Sequence, residues 1–248
     1  MSKFINRTGE TTVNCQGLKM WIREYRGSKD MDAEFENGFI AKNKKYIDFK
    51  NGKIKNLYHP STYDVGYIGK CEYRLNIIQY NIWHHMLARC YNKEFHKQFP
   101  TYKSCTVCEE WHSFQNFVEW YDENYYEIGN EKMQLDKDIL FKGNKIYSPE
   151  TCVFVPERIN YLFIKHNSGR GRYPIGVCFN KDKNKFQSQI NKYGDHINLG
   201  RFNTPEEAFQ KYKTEKEKHI KEVADEYKDK IPQKLYNAMH KYEVEIDD

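Results

Sequence analysis

The sequence predicts an α+β protein with a small N-terminal β module, a central strand-strand-helix unit and a C-terminal three-stranded sheet followed by helices. Short strands separated by turn signals, of which Asn37-Gly38 is the clearest, occupy the first 58 residues. Residues 76–91 change to a helical period, and short strands return after Tyr173. We therefore expect domains at residues 1–66, 67–166 and 173–248, the first being a small β-barrel-like module.

Composition favours several small cores over one large core. Apolar residues make up 39% of the 248 residues, and the mean hydropathy is −0.94. Aromatic residues reach 16%, which argues against disorder. The seven cysteines are irregularly spaced, unlike a secreted disulfide framework. Because no signal peptide and no run of about 20 apolar residues is present, we expect a soluble cytoplasmic protein without a membrane span.

The first two predicted domains are defined by periodicity and turns. Strands are expected at residues 11–13, 20–25, 31–35 and 39–41, and a linker at 59–69. Helices are expected at 76–91 and 109–124, with a loop at 92–102 between them. The inward side chains of these helices are then Ile77, Tyr80, Trp83, Met86, Leu87 and Cys90 on the first, and Trp111, Phe114, Phe117, Val118 and Tyr121 on the second.

The centre of the chain is residues 134–162. A short apolar lead-in ends at Asp136, a loop holding Gly143 and Asn144 follows, and residues 152–155 form a second apolar run. Pro156 suits the first turn of a helix, so residues 157–164 are the predicted helix, with Asn160 on its inner turns. This stretch therefore predicts a β-β-α unit with polar residues at its fold.

This pattern resembles the HNH nucleases of phages and mobile introns. The matching residues stand in the family's order: Leu135, Asp136, Gly143, Asn144, Tyr147, Ser148, Pro149, Glu150 and Cys152. Upstream, the same branch is matched by Trp83, Met86, Arg89 and Cys90, then by Val107, Cys108 and Trp111. The resemblance implies a ββα-metal fold and metal-assisted cleavage of phosphodiester bonds in DNA.

Carried over by position, the resemblance implies that Asp136 and Asn160 hold one Mg²⁺ or Mn²⁺ ion, and Asn144 belongs to the same candidate catalytic set. The residue after the Asp is a water-activating His in the family, whereas here it is Lys137. Three alternatives follow. Lys137 is a base whose pKa burial lowers, or a fixed cation on the phosphate while water or Asp138 accepts the proton, or cleavage is lost while the fold remains.

Four cysteines raise a second metal hypothesis. Cys105 and Cys108 form a Cys-x-x-Cys pair, and Cys90 and Cys152 would complete a structural zinc site, with His84 and His85 as alternative ligands. Buried thiols without any metal are the competing interpretation, because free cysteine is among the most buried residue types.

The C-terminal part predicts three strands, at residues 175–179, 185–191 and 196–199, and then a helix. Thr204 is the expected N-cap, Pro205 the first helical residue and Glu207 the capping-box partner. A break is expected at Ile231-Pro232. The pattern of Gly176-Val177, Phe186, Ile190, Leu199 to Phe202 and Thr204 to Tyr212 resembles AP2-type DNA-binding domains, which lay such a sheet in the major groove.

Cations and amides are concentrated in this region. Residues 165–172 have the composition of a basic linker, and long polar side chains on a small sheet can contact phosphates and base edges. The DNA-binding candidates are Arg170, Arg172, Lys181, Lys183, Lys185, Gln187, Gln189, Lys192 and Arg201. We expect Lys185, Gln187 and Gln189 to share one face, with an irregularity of register between Phe186 and Ile190.

The sequence therefore indicates a site-specific, metal-dependent DNA endonuclease of the phage HNH or homing type that binds double-stranded DNA. The alternative is a DNA-binding protein that keeps the scaffold without catalysis. A third hypothesis is a role on RNA, because basic sheets with aromatic residues also stack single-stranded bases.

Overall fold

The structure is a computed structural model that describes residues 4–69, 77–164 and 172–246. Helices and strands both contribute, which confirms the α+β class. Residue contacts group the chain into two compact units, residues 1–123 with 146–148, and residues 124–145 with 149–248. The expected division into three domains stays a prediction, because contacts do not measure which parts fold alone.

The elements of the first half begin with strands and continue with helices. They are β1 (Thr11–Val13), β2 (Lys19–Gly27), β3 (Asp30–Phe35), β4 (Ile40–Lys44), α1 (Tyr46–Lys50), α2 (Ile77–Tyr91), α3 (Lys93–Gln98), β5 (Thr106–Val107) and α4 (Phe114–Asn124).

The elements of the second half alternate before ending in two helices. They are β6 (Met133–Asp136), β7 (Ile146–Tyr147), β8 (Val153–Pro156), α5 (Glu157–Phe163), β9 (Val177–Asn180), β10 (Lys185–Lys192), β11 (Asp195–Phe202), α6 (Pro205–Glu226) and α7 (Gln233–Lys241).

The N-terminal sheet is an antiparallel meander in the order β1-β2-β3-β4. The hairpin between β3 and β4 turns at Asn37-Gly38, where Gly38 adopts a φ of +82° that glycine tolerates without strain. Its own small core includes Met20, Ile22, Met31 and Phe35. The predicted antiparallel strands and the Asn-Gly hairpin are therefore confirmed, but the predicted all-β start is wrong at residues 46–50, which form the helix α1.

The predicted linker at residues 59–69 is hydrogen-bonded to the helical part of the first unit. The Tyr67 amide donates to the carbonyl of His112, and the Phe114 amide donates to the carbonyl of Tyr67. Gly66 lies so close to α2 that an added Cβ would be 2.4 Å from Leu87 Cδ1. Only glycine therefore allows this segment to approach the helix.

Two helix predictions need correction. Residues 92–102 were expected to be a loop, but α3 begins at Lys93 because the Asn92 side chain accepts hydrogen bonds from the Glu94 and Phe95 amides. The helix expected over 109–124 begins instead as a 3-10 turn, Glu109–His112, and α4 starts only at Phe114. All five side chains expected to face inward there are buried.

On α2, the expected apolar face holds from Trp83 onward but not at its start. Trp83, Met86, Leu87 and Cys90 are buried. Ile77 is 75% exposed, so the first turn of the helix lies outside the core.

The second unit has one core that joins its strand-strand-helix part to its C-terminal part. Val153, Val155 and Ile159 of β8 and α5 belong to the same buried cluster as Ile190 of β10 and Phe209 of α6. The three-stranded sheet has the order β11-β10-β9, and α6 packs on one of its faces. The expected break at Ile231-Pro232 separates α6 from α7.

Candidate functional site

The central unit forms the strand-strand-helix arrangement that the sequence predicts. Strand β6 pairs antiparallel with β8, with Asp136 opposite Val153, and α5 begins directly after β8. Asp136 is the last residue of β6, and Asn160 lies in the middle of α5. Both predicted cation ligands therefore belong to one small unit, within the second compact part of the chain.

The Asp136 carboxylate holds the turn that follows β6. Its Oδ1 atom accepts hydrogen bonds from the amides of Asp138 at 2.8 Å and Ile139 at 2.7 Å. The residue keeps some exposed surface, but burial of the carboxylate and the neighbouring Asp138 charge raise the pKa of Asp136 to about 6. The neighbouring Lys137 cation offsets this only in part, and a bound divalent cation would add positive charge beside the carboxylate.

A short chain of amide hydrogen bonds holds Asn160 against β6. Asn160 Nδ2 donates to Gln134 Oε1 at 2.8 Å, and Gln134 Nε2 donates to Glu157 Oε1 at 2.9 Å. Gln134 and Asp136 are two residues apart on one strand, so their side chains leave it on the same face. Gln134 was not predicted from the sequence, although this spacing from Asp136 is visible there.

Asp136 and Asn160 each keep one side-chain oxygen atom available. In the described parts of the chain, neither Asp136 Oδ2 nor Asn160 Oδ1 accepts a hydrogen bond. A carboxylate oxygen and an amide oxygen are ligands that Mg²⁺ and Mn²⁺ accept, and Mg²⁺ usually keeps several waters besides. The donor set therefore fits a hard divalent cation bound by two side chains and water.

The Lys137 side chain is bonded within the loop between β6 and β7. Its side chain is buried, and its Nζ lies 3.0 Å from Asp138 Oδ2 and donates to the Asn144 carbonyl at 3.3 Å. Asn144 Nδ2 donates in turn to the Lys137 carbonyl at 2.7 Å. Lys137 and Asn144 thus close the loop on itself, and this ammonium is bonded within the protein.

The predicted zinc ligands fall in different parts of the chain. Cys90, Cys105 and Cys108 belong to the first unit and Cys152 to the second. Cys90, Cys105 and Cys152 are buried, and Cys108 is half-buried. Over residues 4–69, 77–164 and 172–246, no group of three or more His, Cys, Asp or Glu residues is arranged to hold a metal. The structural zinc stays a prediction.

The register of the C-terminal sheet decides which DNA-binding candidates share a face. Gln187 of β10 lies opposite Cys178 and Arg201, Lys185 lies opposite Asn180, and Gln189 lies opposite Asn198. Directly paired residues point to the same side of a sheet. Lys185, Gln187, Gln189 and Arg201 therefore share one face, and Asn180 and Asn198 join them without having been predicted.

The other face of the sheet is directed at α6. Ser188 and Ile190 are buried, and Lys192 Nζ lies 3.6 Å from carboxylate oxygens of both Glu215 and Glu222. Lys192 is thus separated from the other candidates. The pairing with β11 shifts register between Ser188 and Gln189, where the sequence predicts an irregularity.

The remaining candidates lie in a turn and at the end of the basic linker, residues 165–172. Lys181 and Lys183 are exposed in the turn between β9 and β10. Arg172 is exposed and lies over the ring of Tyr173. Arg170, with most of the basic linker, lies outside the described residues.

Within the described ranges, no helix combines the length and the apolar composition needed to cross a membrane. Comparisons with known protein families, with curated proteins and with solved structures found no match to this chain.

Proposed function

We propose that this protein binds double-stranded DNA and hydrolyses its phosphodiester bonds with one divalent cation held by Asp136 and Asn160. The observation that carries the proposal is the bond from Asn160 Nδ2 to Gln134 Oε1. It holds an amide of α5 on the face of β6 from which Asp136 projects. The resemblance to phage enzymes would place such a protein in the cytoplasm of an infected cell.

Each residue of the site has a separate task in this proposal. Asp136 and Asn160 would hold Mg²⁺ or Mn²⁺, which supplies charge stabilisation for the phosphate and the leaving oxygen. Gln134 positions Asn160, and Glu157 positions Gln134. Lys137 keeps the loop closed rather than activating water, because its Nζ is bonded to Asp138 and to the Asn144 carbonyl.

The face of the C-terminal sheet that points away from α6 would bind the duplex. Lys185, Gln187, Gln189 and Arg201 share that face, and Lys181 and Lys183 stand at its edge. Amides and guanidinium groups can contact base edges, and lysines can contact phosphates. Lys192 is excluded from this role because α6 carboxylates hold it.

A second candidate function is DNA binding without cleavage. The specific observation that favours it is Lys137, which stands in place of a water-activating histidine and is buried in an ion pair with Asp138. On this alternative the unit β6-β8-α5 serves only as a scaffold for the DNA-binding sheet.

The two functions are separated by incubating the purified protein with supercoiled plasmid and genomic DNA, in Mg²⁺, in Mn²⁺ and in EDTA. The first candidate requires metal-dependent nicking or cutting that Asp136→Ala abolishes while DNA binding persists. Arg201→Ala should weaken binding in the same preparations. If the wild-type protein binds duplex DNA but cuts none with either metal, the binding function stands and the nuclease function fails.

A further inference from the structure

One charged residue lies on the inner stripe of α6, where the neighbouring residues are buried. Phe209, Tyr212, Ile220 and Val223 are buried along this stripe, and Lys216 stands between Tyr212 and Ile220. Three other lysines of the same helix, Lys211, Lys213 and Lys218, lie within 4 Å of glutamates one turn away. Lys221 of the same helix is exposed to solvent, so Lys216 is the unpaired lysine of α6 that requires an explanation.

Lys216 has no partner in the described structure. Its ammonium group makes no hydrogen bond or ion pair with any described residue, and burial lowers the pKa of Lys216 to about 8. Lys216 is half-buried, so its ammonium group loses part of its hydration without gaining a counter-charge from the described residues. A lysine whose pKa is shifted by its surroundings is a candidate for contact with a ligand.

His219, one helical turn further on, is in a similar position. It is 3% exposed, and its Nδ1 atom has no hydrogen-bond partner among the described residues. The closest carboxylate oxygen, Glu222 Oε2, lies 3.7 Å away, which is beyond hydrogen-bond range. Burial, together with Lys192 and Lys216, lowers the pKa of His219. Lys216 and His219 are thus two nitrogen groups, one helical turn apart, to which no carboxylate of the described residues is hydrogen-bonded.

Both residues line a cleft of about 1360 Å³ in the second unit, a volume above the roughly 300–1,000 Å³ of typical small-molecule sites. Its lining carries four cationic side chains, Arg158, Arg172, Lys181 and Lys216, against the single carboxylate of Glu157. Arg158 is already paired with Glu226. The net charge of the lining favours an anionic ligand.

The cleft also carries aromatic rings. Tyr193 is 60% exposed, and its ring centroid lies 4.8 Å from that of His219. Tyr161, Phe163, Tyr173 and Tyr242 line other parts of the wall. Aromatic rings bind planar bases by stacking, so an anion that carries a base matches this wall better than a simple ion.

We propose that this cleft binds a nucleoside monophosphate group, with Lys216 and His219 contacting the phosphate and Tyr193 packing against the base. The group is either a free nucleotide or the phosphorylated end of a strand. Neither Asp136 nor Asn160 lines this cleft, so the proposal goes beyond the cation site and does not depend on cleavage.

The test measures binding of dTMP, inorganic phosphate and thymidine to the full-length protein by calorimetry. Lys216→Met keeps the length of the side chain and removes the charge, and Lys221→Met is the matched control on the exposed side of α6. We expect dTMP to bind to the wild-type protein, with at least about tenfold loss in Lys216→Met and none in Lys221→Met. Because the removed charge is unpaired, Lys216→Met should fold with an unchanged or higher Tm.

Each probe also has a result that overturns the proposal. Undetectable binding of dTMP at millimolar concentration, or equal binding to Lys216→Met and wild type, removes the site. Thymidine binding as tightly as dTMP removes the phosphate contact, and inorganic phosphate binding as tightly removes the role of the base. Tyr193→Ala should weaken dTMP binding but leave phosphate binding unchanged. An oligonucleotide with a 5′-phosphate that binds more tightly than dTMP assigns the site to a strand end, and the reverse assigns it to a free nucleotide.

Discussion

Replacing Asp136 with asparagine should stabilise the protein at neutral pH while removing the proposed cation ligand. The folded protein raises the pKa of Asp136 to about 6, compared with about 3.9 in an unfolded chain. The folded state therefore binds the proton more tightly, and the stability of the wild-type protein falls as pH rises from about 4 to about 6. The difference between these two pKa values corresponds to about 3 kcal/mol of unfolding free energy, and the wild-type protein has lost this stabilisation above pH 6.

Asp136→Asn carries no titrating group, so it should escape this loss. We expect the variant to be about 2–3 kcal/mol more stable than wild type at pH 8 in EDTA, and near equal at pH 4. For a chain of this length that is a Tm difference on the order of 5 °C or more. Asp182→Asn, in the exposed turn between β9 and β10, is the matched control, which removes a carboxylate away from the proposed site.

Magnesium provides the second arm of the same assay. A ligand that binds only the folded state stabilises it, so 10 mM MgCl₂ should raise the Tm of wild type at pH 8 and leave Asp136→Asn nearly unchanged. The assay is thermal unfolding followed by circular dichroism. If the Tm difference between wild type and Asp136→Asn is the same at pH 4 and pH 8, the raised pKa of Asp136 is refuted. If Mg²⁺ raises the Tm of both proteins equally, the cation site is refuted.

Three further predictions concern stability. Gly176→Ala should lower the free energy of unfolding in urea by about 2–4 kcal/mol, because its φ is +75° and the added Cβ would lie 2.0 Å from Tyr212 Cδ2. Gly194→Ala, which has open space around it, should lower it by only about 1–2 kcal/mol. Thr204→Ala should lose about 1 kcal/mol by removing the capping box of α6, whereas Thr214→Ala, in the middle of that helix, should change the urea midpoint little. A fragment of residues 172–248 should unfold less cooperatively in urea than one of residues 124–248, because Val153, Val155 and Ile159 complete its core; equal transitions would contradict this.

Turns and helix caps were the parts of the fold that could be predicted from the sequence. The turn at Asn37-Gly38 and the cap at Thr204 depend on a few adjacent residues, and the structure confirms both. The loop expected at 92–102 was wrong because α3 has only six residues, too few for a periodicity to emerge, although Asn92 was a visible N-cap. Short helices are thus better detected from their caps than from their periodicity.

The candidate site could be predicted only where it depends on neighbours in sequence. Asp136 at the end of a strand and Asn160 on the next helix follow from the order of elements. The partners of each lysine do not, because they are set by packing: Lys137 pairs within its loop, and Lys192 pairs with α6. Lys185 and Lys192 are seven residues apart on β10, so alternation places them on opposite faces, but the sequence does not show that the face of Lys192 meets the carboxylates of α6.

The shared core of the second unit bears on how the two proposed activities would be coupled. Ile159 of α5 is buried in the same cluster as Ile190 of β10, so the helix that carries Asn160 and the sheet that carries Gln187 and Gln189 are packed through one interior. Close-packed interiors are difficult to deform, so elements that share one core move together. DNA bound on the sheet face would therefore be held at a constant position relative to Asp136 and Asn160. That rigidity is what a fixed distance between a bound sequence and a cut site requires, and a flexible tether between independent domains would not provide it.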